Sequence, residues 1–187
     1  MKQSSNSSTE IKSGELVTPH KQVFLCYCHR DLHYAQRLLV HLAGCQQNSG
    51  LTIWDDSRIR AGSLWKSEVA SALAMAQFAV LLISADFLAS SFITTFELPC
   101  LLNAAQSGGT RILPVILHPC LFEESRLATF QAVNNPTRPL SQLPSSAREQ
   151  IWVSVVRTLI HTPFPPETIR EPLLSLSSTC RRTVVGD

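Results

Sequence analysis

A three-layer α/β fold, with helices on both faces of a mostly parallel sheet, is the class this sequence predicts, and three observations predict it. The run Phe78-Ala79-Val80-Leu81-Leu82-Ile83 is apolar at every position and does not alternate, which is the pattern of a strand buried on both faces at the centre of a parallel sheet. Two further strand-like runs, Val23-Phe24-Leu25-Cys26-Tyr27 and Leu51-Thr52-Ile53-Trp54, precede it. Each is followed by apolar residues at helical spacing, and strands that alternate with helices pair in parallel through right-handed crossovers. The simplest arrangement is a flavodoxin-like sandwich around a central five-stranded sheet.

The elements follow in order. Residues 1–20 are rich in Ser, Thr, Lys and Glu without periodicity and are expected to form a disordered leader. The folded domain is expected over 21–161. After the first strand, Cys28-His29-Arg30-Asp31 is a polar turn with Asp31 placed to cap a helix. In that helix Ala35, Leu38, Leu39 and Leu42 form one apolar stripe, and the pattern stops between Gly44 and Gly50. The second strand runs into the loop Asp55-Asp56-Ser57-Arg58-Ile59-Arg60-Ala61-Gly62, which carries four charges and a single Ile. Trp65, Val69, Ala72, Leu73 and Ala76 then mark a second helix. A third helix, starting near Ser90 or Ser91, contains Pro99, which lacks an N–H and should kink the helix or end its first segment. Gly108-Gly109 closes it. Arg111–Leu117 is a fourth strand, and Pro114 places it towards the sheet edge. The stretch 118–143 is irregular, with a short fifth strand expected at Phe130 to Val133. Ser146-Ala147-Arg148-Glu149 reads as a capping box for a last helix bearing Ile151, Val155 and Leu159. Pro163, Pro165, Pro166 and Pro172 among Ser and Thr make 162–187 a linker or disordered tail, through which a sensor domain or subunit is expected to join.

Composition excludes several functions. The formal charge is +2, and no basic run alternates with aromatics, so no nucleic-acid partner is expected. No hydrophobic stretch approaches ~18 residues, and the N-terminus has no apolar core of the secretory kind. A soluble, cytoplasmic protein without membrane contact is expected. The six cysteines are scattered without a C-x-x-C pair, which fits neither a zinc site nor a disulfide framework. No metal and no resident cofactor are expected.

The candidate site lies beyond the carboxyl ends of the strands, where open parallel sheets bind ligands. Glu97 follows the central strand, on the next helix, among apolar Phe92, Ile93, Phe96 and Leu98. Tyr27, Cys28 and His29 leave the first strand at the same rim, and Trp54 and Asp55 leave the second. Trp54 is either core or a base-stacking platform; Asp55 either meets a nucleotide or fixes its loop through backbone N–H groups. Ser84 ends the third strand, where a phosphorylated receiver domain would need an Asp. No G-x-G-x-x-G follows the first strand, which disfavours dinucleotide binding of the Rossmann type.

Four stretches carry a resemblance: Phe24 to Asp31, Trp54 to Gly62, Leu81 to Ser90, and Glu97-Leu98-Pro99. Together and in this order they resemble the bacterial branch of the Toll/interleukin-1 receptor (TIR) domain family, over about Lys21 to His161. The resemblance implies that Asp55 to Gly62 is the family's BB loop, a self-association element presenting Arg58, Ile59, Arg60 and Gly62. It also implies that Glu97 matches the glutamate that cleaves NAD in catalytic members. Cys26 and Cys28 stand where such sequences often carry Ser. Ile93 stands where some catalytic relatives carry an aromatic that stacks on nicotinamide, a role Phe92 or Phe96 would have to take. The chemistry is consistent with one acid: expelling neutral nicotinamide from a cationic pyridinium needs no general acid, only stabilisation of an oxocarbenium-like ribose. The expected function is therefore an NAD+ hydrolase releasing nicotinamide and ADP-ribose or a cyclic isomer. NAD+ is its substrate, it acts as the effector of an antiviral defence or cell-death response, and it is activated as a homo-oligomer or filament. The alternative is a non-catalytic TIR scaffold signalling through TIR–TIR contacts.

Overall fold

The computed structural model describes residues 21–55, 65–107 and 109–163. The leader, nearly all of the tail, and Arg58, Ile59, Arg60 and Gly62 lie outside the described residues. Strands β1 (Lys21–Tyr27), β2 (Leu51–Trp54), β3 (Phe78–Ile83) and β4 (Arg111–Ile116) form one parallel sheet of order β2-β1-β3-β4. All six residues of β3 are buried, as a central strand requires. Their even members face one layer and their odd members the other.

Helices α1 (Leu32–Ser49) and α5 (Ser145–His161) cover one face and pack on Val23, Leu25, Phe78, Val80 and Leu82. Helices α2 (Trp65–Met75), α3 (Ala85–Ala89) and α4 (Leu98–Gln106) cover the other, on Phe24, Cys26, Ala79, Leu81 and Ile83. Helix α1 buries Ala35, Leu38 and Leu42 of the predicted stripe and partly covers Leu39, but it runs through Gly44 and stops at Gly50, whose φ of 62° is left-handed and suited to a residue without Cβ. Gly109 N–H closes α4 on the Ala104 carbonyl at 3.0 Å, the six-to-one bond of a Schellman turn.

The fifth strand does not form. At Phe130–Val133 the chain is irregular, and a single ladder-like bond, Val133 N–H to the Pro114 carbonyl at 2.8 Å, reaches β4. Asn134 then substitutes for a strand: its Oδ1 accepts from Ile116 N–H at 2.8 Å and its Nδ2 donates to the Ile116 carbonyl at 3.1 Å. Asn-Asn-Pro at 134–136 is turn chemistry that stops a strand from propagating. Pro114 turns its ring nitrogen to this same outer edge, so β4 loses no bond to β3.

Two expected caps are used otherwise. Asp31 makes no side-chain cap to α1, and the box at Ser146–Glu149 does not close, because the N-cap of α5 is Pro144, two residues before Ser146. Glu149 instead crosses to α1, taking Arg37 Nη2 at 2.6 Å and His41 Nε2 at 2.8 Å. The buried stripe of α5 is Trp152, Val155, Val156 and Leu159, with Ile151 only partly covered.

Candidate active site

Alternation along β1 decides which of its side chains meet Glu97. Phe24, Cys26 and Cys28 point into the α2–α4 layer, and Val23, Leu25 and Tyr27 point into the α1–α5 layer. Across the first layer lies a widened, π-helical turn at Ile93–Glu97, in which Leu98 N–H reaches back to the Ile93 carbonyl. Pro99 explains the widening. A continuous α-helix would place its missing N–H in mid-ladder, whereas the extra residue resets the register and puts Pro99 in the first turn of α4, where no intrahelical donor is needed.

The same turn rotates Ile93 and Glu97 inward, and both are buried, Glu97 to 8% exposure. Cys26 Sγ lies 2.9 Å from Glu97 Oε2 and donates to it. Glu97 is thus not a helix-surface acid pointing at solvent. Phe92 and Phe96, one position off that face, are half-buried and stack on each other with centroids 5.3 Å apart and planes 28° from parallel.

The carboxyl rim is tied together beside this acid. Ser84 Oγ donates to Asp31 Oδ2 at 2.6 Å and accepts from Phe87 N–H at 3.0 Å, so one hydroxyl caps α3 and joins the segment after β3 to the segment after β1. At the surface, Arg30 and Asp86 repeat the link at 3.5 Å. These two segments flank the point where the strand order reverses, between β1 and β3, which is where sheets of this class form their ligand crevice.

The model of the TIR domain family matches residues 23–145. The chain belongs to the TIR domain family. It is 27% identical over 122 residues to an uncharacterized protein, y4lF, of Sinorhizobium fredii; the match takes in 65% of this chain and 38% of that protein, so the chain spans well under half of this relative. Among solved structures it is similar to the TIR domain of the Toll-related receptor TRR-2 of Hydra magnipapillata, at TM-score 0.46 and 17% identity over 73% of this chain and 96% of that one. A prokaryotic SEFIR domain gives 0.48 and 13% over 79% and 98%. The TIR domains of the activated Roq1 resistosome give 0.43 and 16% over 86% and 94%.

Within the TIR domain, Cys28, Trp54 and Phe92 share the layer of Glu97. Trp54 is half-buried and stacks on Phe24 with centroids 4.8 Å apart and planes 12° from parallel, in register across β2 and β1. Asp55 is buried at the end of β2. Two candidates are displaced from their expected places. Tyr27 faces the opposite layer, because Cys26 holds the parity that reaches Glu97, and its ring lies 6.5 Å from that of the exposed His29. Ser84 is 1% exposed and its hydroxyl serves the Asp31 link and the α3 cap. Cys26 and Asp31 were not among the candidates. Period-2 parity along β1 is the signal that puts Cys26 on the Glu97 face. Two grooves, of about 570 Å³ along the outer edge of β4 and about 330 Å³ against the irregular segment after it, are not lined by Glu97.

Proposed function

We propose that this TIR domain cleaves the bond between nicotinamide and ribose in NAD+, releasing nicotinamide and ADP-ribose or a cyclic isomer, with Glu97 as the catalytic carboxylate. One observation carries the reading: a carboxylate buried to 8% exposure on a π-helical turn at the carboxyl rim of the sheet, contacted by a thiol. Burying a carboxylate is costly, and such placement is concentrated at functional sites. A thiol is a weak, neutral donor that brings no counter-charge of its own.

The chemistry asks for that charge. Nicotinamide departs as a neutral molecule when the C–N bond pair moves to the pyridinium nitrogen, and positive charge grows on the ribosyl carbon and ring oxygen. A fixed carboxylate stabilises that charge and accepts bonds from the ribose hydroxyls, and water or a group of the same substrate then attacks the cationic carbon. In this reading Cys28, Trp54, Asp55 and Phe92 hold the rest of the dinucleotide. The reading extends to an effector of antiviral defence or cell death, acting in the cytoplasm and silent until assembly brings a neighbour's BB loop, with Ile59 between Arg58 and Arg60, over the site. The alternative is a scaffold that signals through TIR–TIR contacts without turnover. One feature favours it, namely that the buried residue one turn before Glu97 is Ile93 and not an aromatic.

The test is to incubate the full chain with NAD+ over a wide dilution series, with and without crowding agent, and to quantify nicotinamide by chromatography. Release rising more steeply than linearly with protein concentration is expected, and Ile59→Asp removes the rise. A chain that releases no nicotinamide at any concentration contradicts the proposal.

A further inference from the structure

We infer that Cys26 is a positioning residue for Glu97: its thiol, fixed on the central sheet, sets the orientation of the carboxylate for reaction. The inference rests on the NAD-cleaving reading and names a residue that the reading alone does not supply.

The geometry is asymmetric. Glu97 sits on a long side chain with three rotatable bonds, on a π-helical turn that is itself a departure from regular helix. Such a side chain has many rotamers open to it. Cys26 has one side-chain torsion and stands in β1, which is paired on both sides, with Val23, Phe24, Leu25, Cys26 and Tyr27 opposite Phe78 to Leu82 in β3 and with Lys21 to Phe24 opposite Leu51 to Trp54 in β2. At 2% exposure its side chain is enclosed in the core. The 2.9 Å contact between Sγ and Oε2 therefore ties the longer, more rotatable side chain to the short one held in the strand. Placement of a reacting group to a fraction of an ångström is worth large rate factors; an error of 1 Å costs about 100-fold. A neutral donor does this without introducing a counter-charge. A Lys or Arg at the same position would fix the carboxylate equally well but would offset the negative charge that the ribosyl cation needs.

The substitutions differ in what they remove. Cys26→Ala deletes the donor and leaves the carboxylate without this anchor, so kcat should fall by about tenfold with KM within about twofold, because the lost placement matters most as charge develops. Cys26→Ser keeps a donor of similar reach and should return kcat to within about threefold of the parent. A purely structural role would lower the melting temperature of Cys26→Ala without a selective loss of kcat, and serine, being polar in a buried site, would not rescue.

The experiment has two arms. In the first, kcat and KM for nicotinamide release are measured for the parent, Cys26→Ala, Cys26→Ser and Glu97→Gln, at equal folded concentration. In the second, the S–H stretching band of Cys26 is isolated by infrared difference between the parent and Cys26→Ser, and again in the Glu97→Ala background. A hydrogen-bonded thiol absorbs at lower frequency than a free one, so the band should rise in frequency when Glu97 is removed. Full kcat in Cys26→Ala alongside a dead Glu97→Gln overturns the positioning role and leaves the NAD-cleaving reading standing. An S–H band indifferent to Glu97→Ala overturns the contact. A parent silent at every concentration overturns the NAD-cleaving reading, and the catalytic use of the contact with it, even where the band shift shows the thiol bonded to Glu97.

Discussion

Ser84 Oγ donates to the buried Asp31 carboxylate at 2.6 Å, and this single hydroxyl also accepts the Phe87 N–H in the first turn of α3. It joins the two segments that flank the reversal of strand order. Replacing it leaves a buried carboxylate short of a donor and a helix short of a cap. Ser84→Ala should destabilise the domain by roughly 2–3 kcal/mol, the sum of one hydrogen bond to a buried acid and one N-cap. Urea unfolding checks this. Asp31→Asn, which keeps an acceptor for the hydroxyl, should cost less than Ser84→Ala, and the reverse order would mean that the bond is not what holds the rim.

Acid should loosen the contact between α1 and α5 before it unfolds the sheet. The carboxyl of Glu149 is lowered from its ordinary 4.5 to about 2, first by the hydrogen bond from Arg37 and then by that from His41. Because the folded-state value lies below the unfolded one, its contribution to stability is complete above about pH 4.5 and is lost as pH falls towards 2. The pair is solvent-accessible, so added salt should weaken the effect. Thermal melts of the parent and Glu149→Gln between pH 6 and 2.5 decide the point, because the parent should lose more melting temperature over the acid range than the variant.

Two glycines of one helix should respond in opposite directions. A Cβ at Gly44 would meet nothing within 4 Å, and the residue lies inside α1. Gly44→Ala should therefore stabilise by about 0.5–1 kcal/mol, through helix propensity and lost freedom of the unfolded chain. Gly50, at φ 62°, ends the helix in the left-handed region. Gly50→Ala should destabilise by about 1 kcal/mol. Chemical denaturation midpoints of both variants check the signs.

How far the molecule was legible in the sequence depends on the range of the forces involved. The apolar run Phe78–Ile83 announces a strand buried on both faces, because nothing polar interrupts it, and the stripe of Ala35, Leu38 and Leu42 announces the helix before β2. Local chemistry also marked Pro99, although whether the helix would kink, stop or widen depended on the sheet beneath it. Long-range polar pairing was not legible. Asp31 and Glu149 sit where local capping would use them, yet their partners are Ser84, 53 residues away, and Arg37, 112 residues away. The missing fifth strand fails for a similar reason. Phe130–Val133 has strand-like composition, but Asn134 satisfies the edge of β4 with its side chain in place of a ladder. At the site, burial and strand parity exposed Cys26, which in the sequence stood out only as a residue where similar sequences often carry Ser.

The measurement that bears most directly on the central claim is nicotinamide release by Glu97→Gln against the parent, under the conditions where the parent turns over and with folded concentration matched by circular dichroism. The substitution preserves size and keeps one hydrogen-bonding oxygen for Cys26, while it removes the charge and turns the other oxygen into an NH2 donor. A loss of at least ~100-fold in kcat, with the melting temperature retained, is what the account predicts, as for other single groups that stabilise developing charge. Release by Glu97→Gln comparable to that of the parent would contradict it.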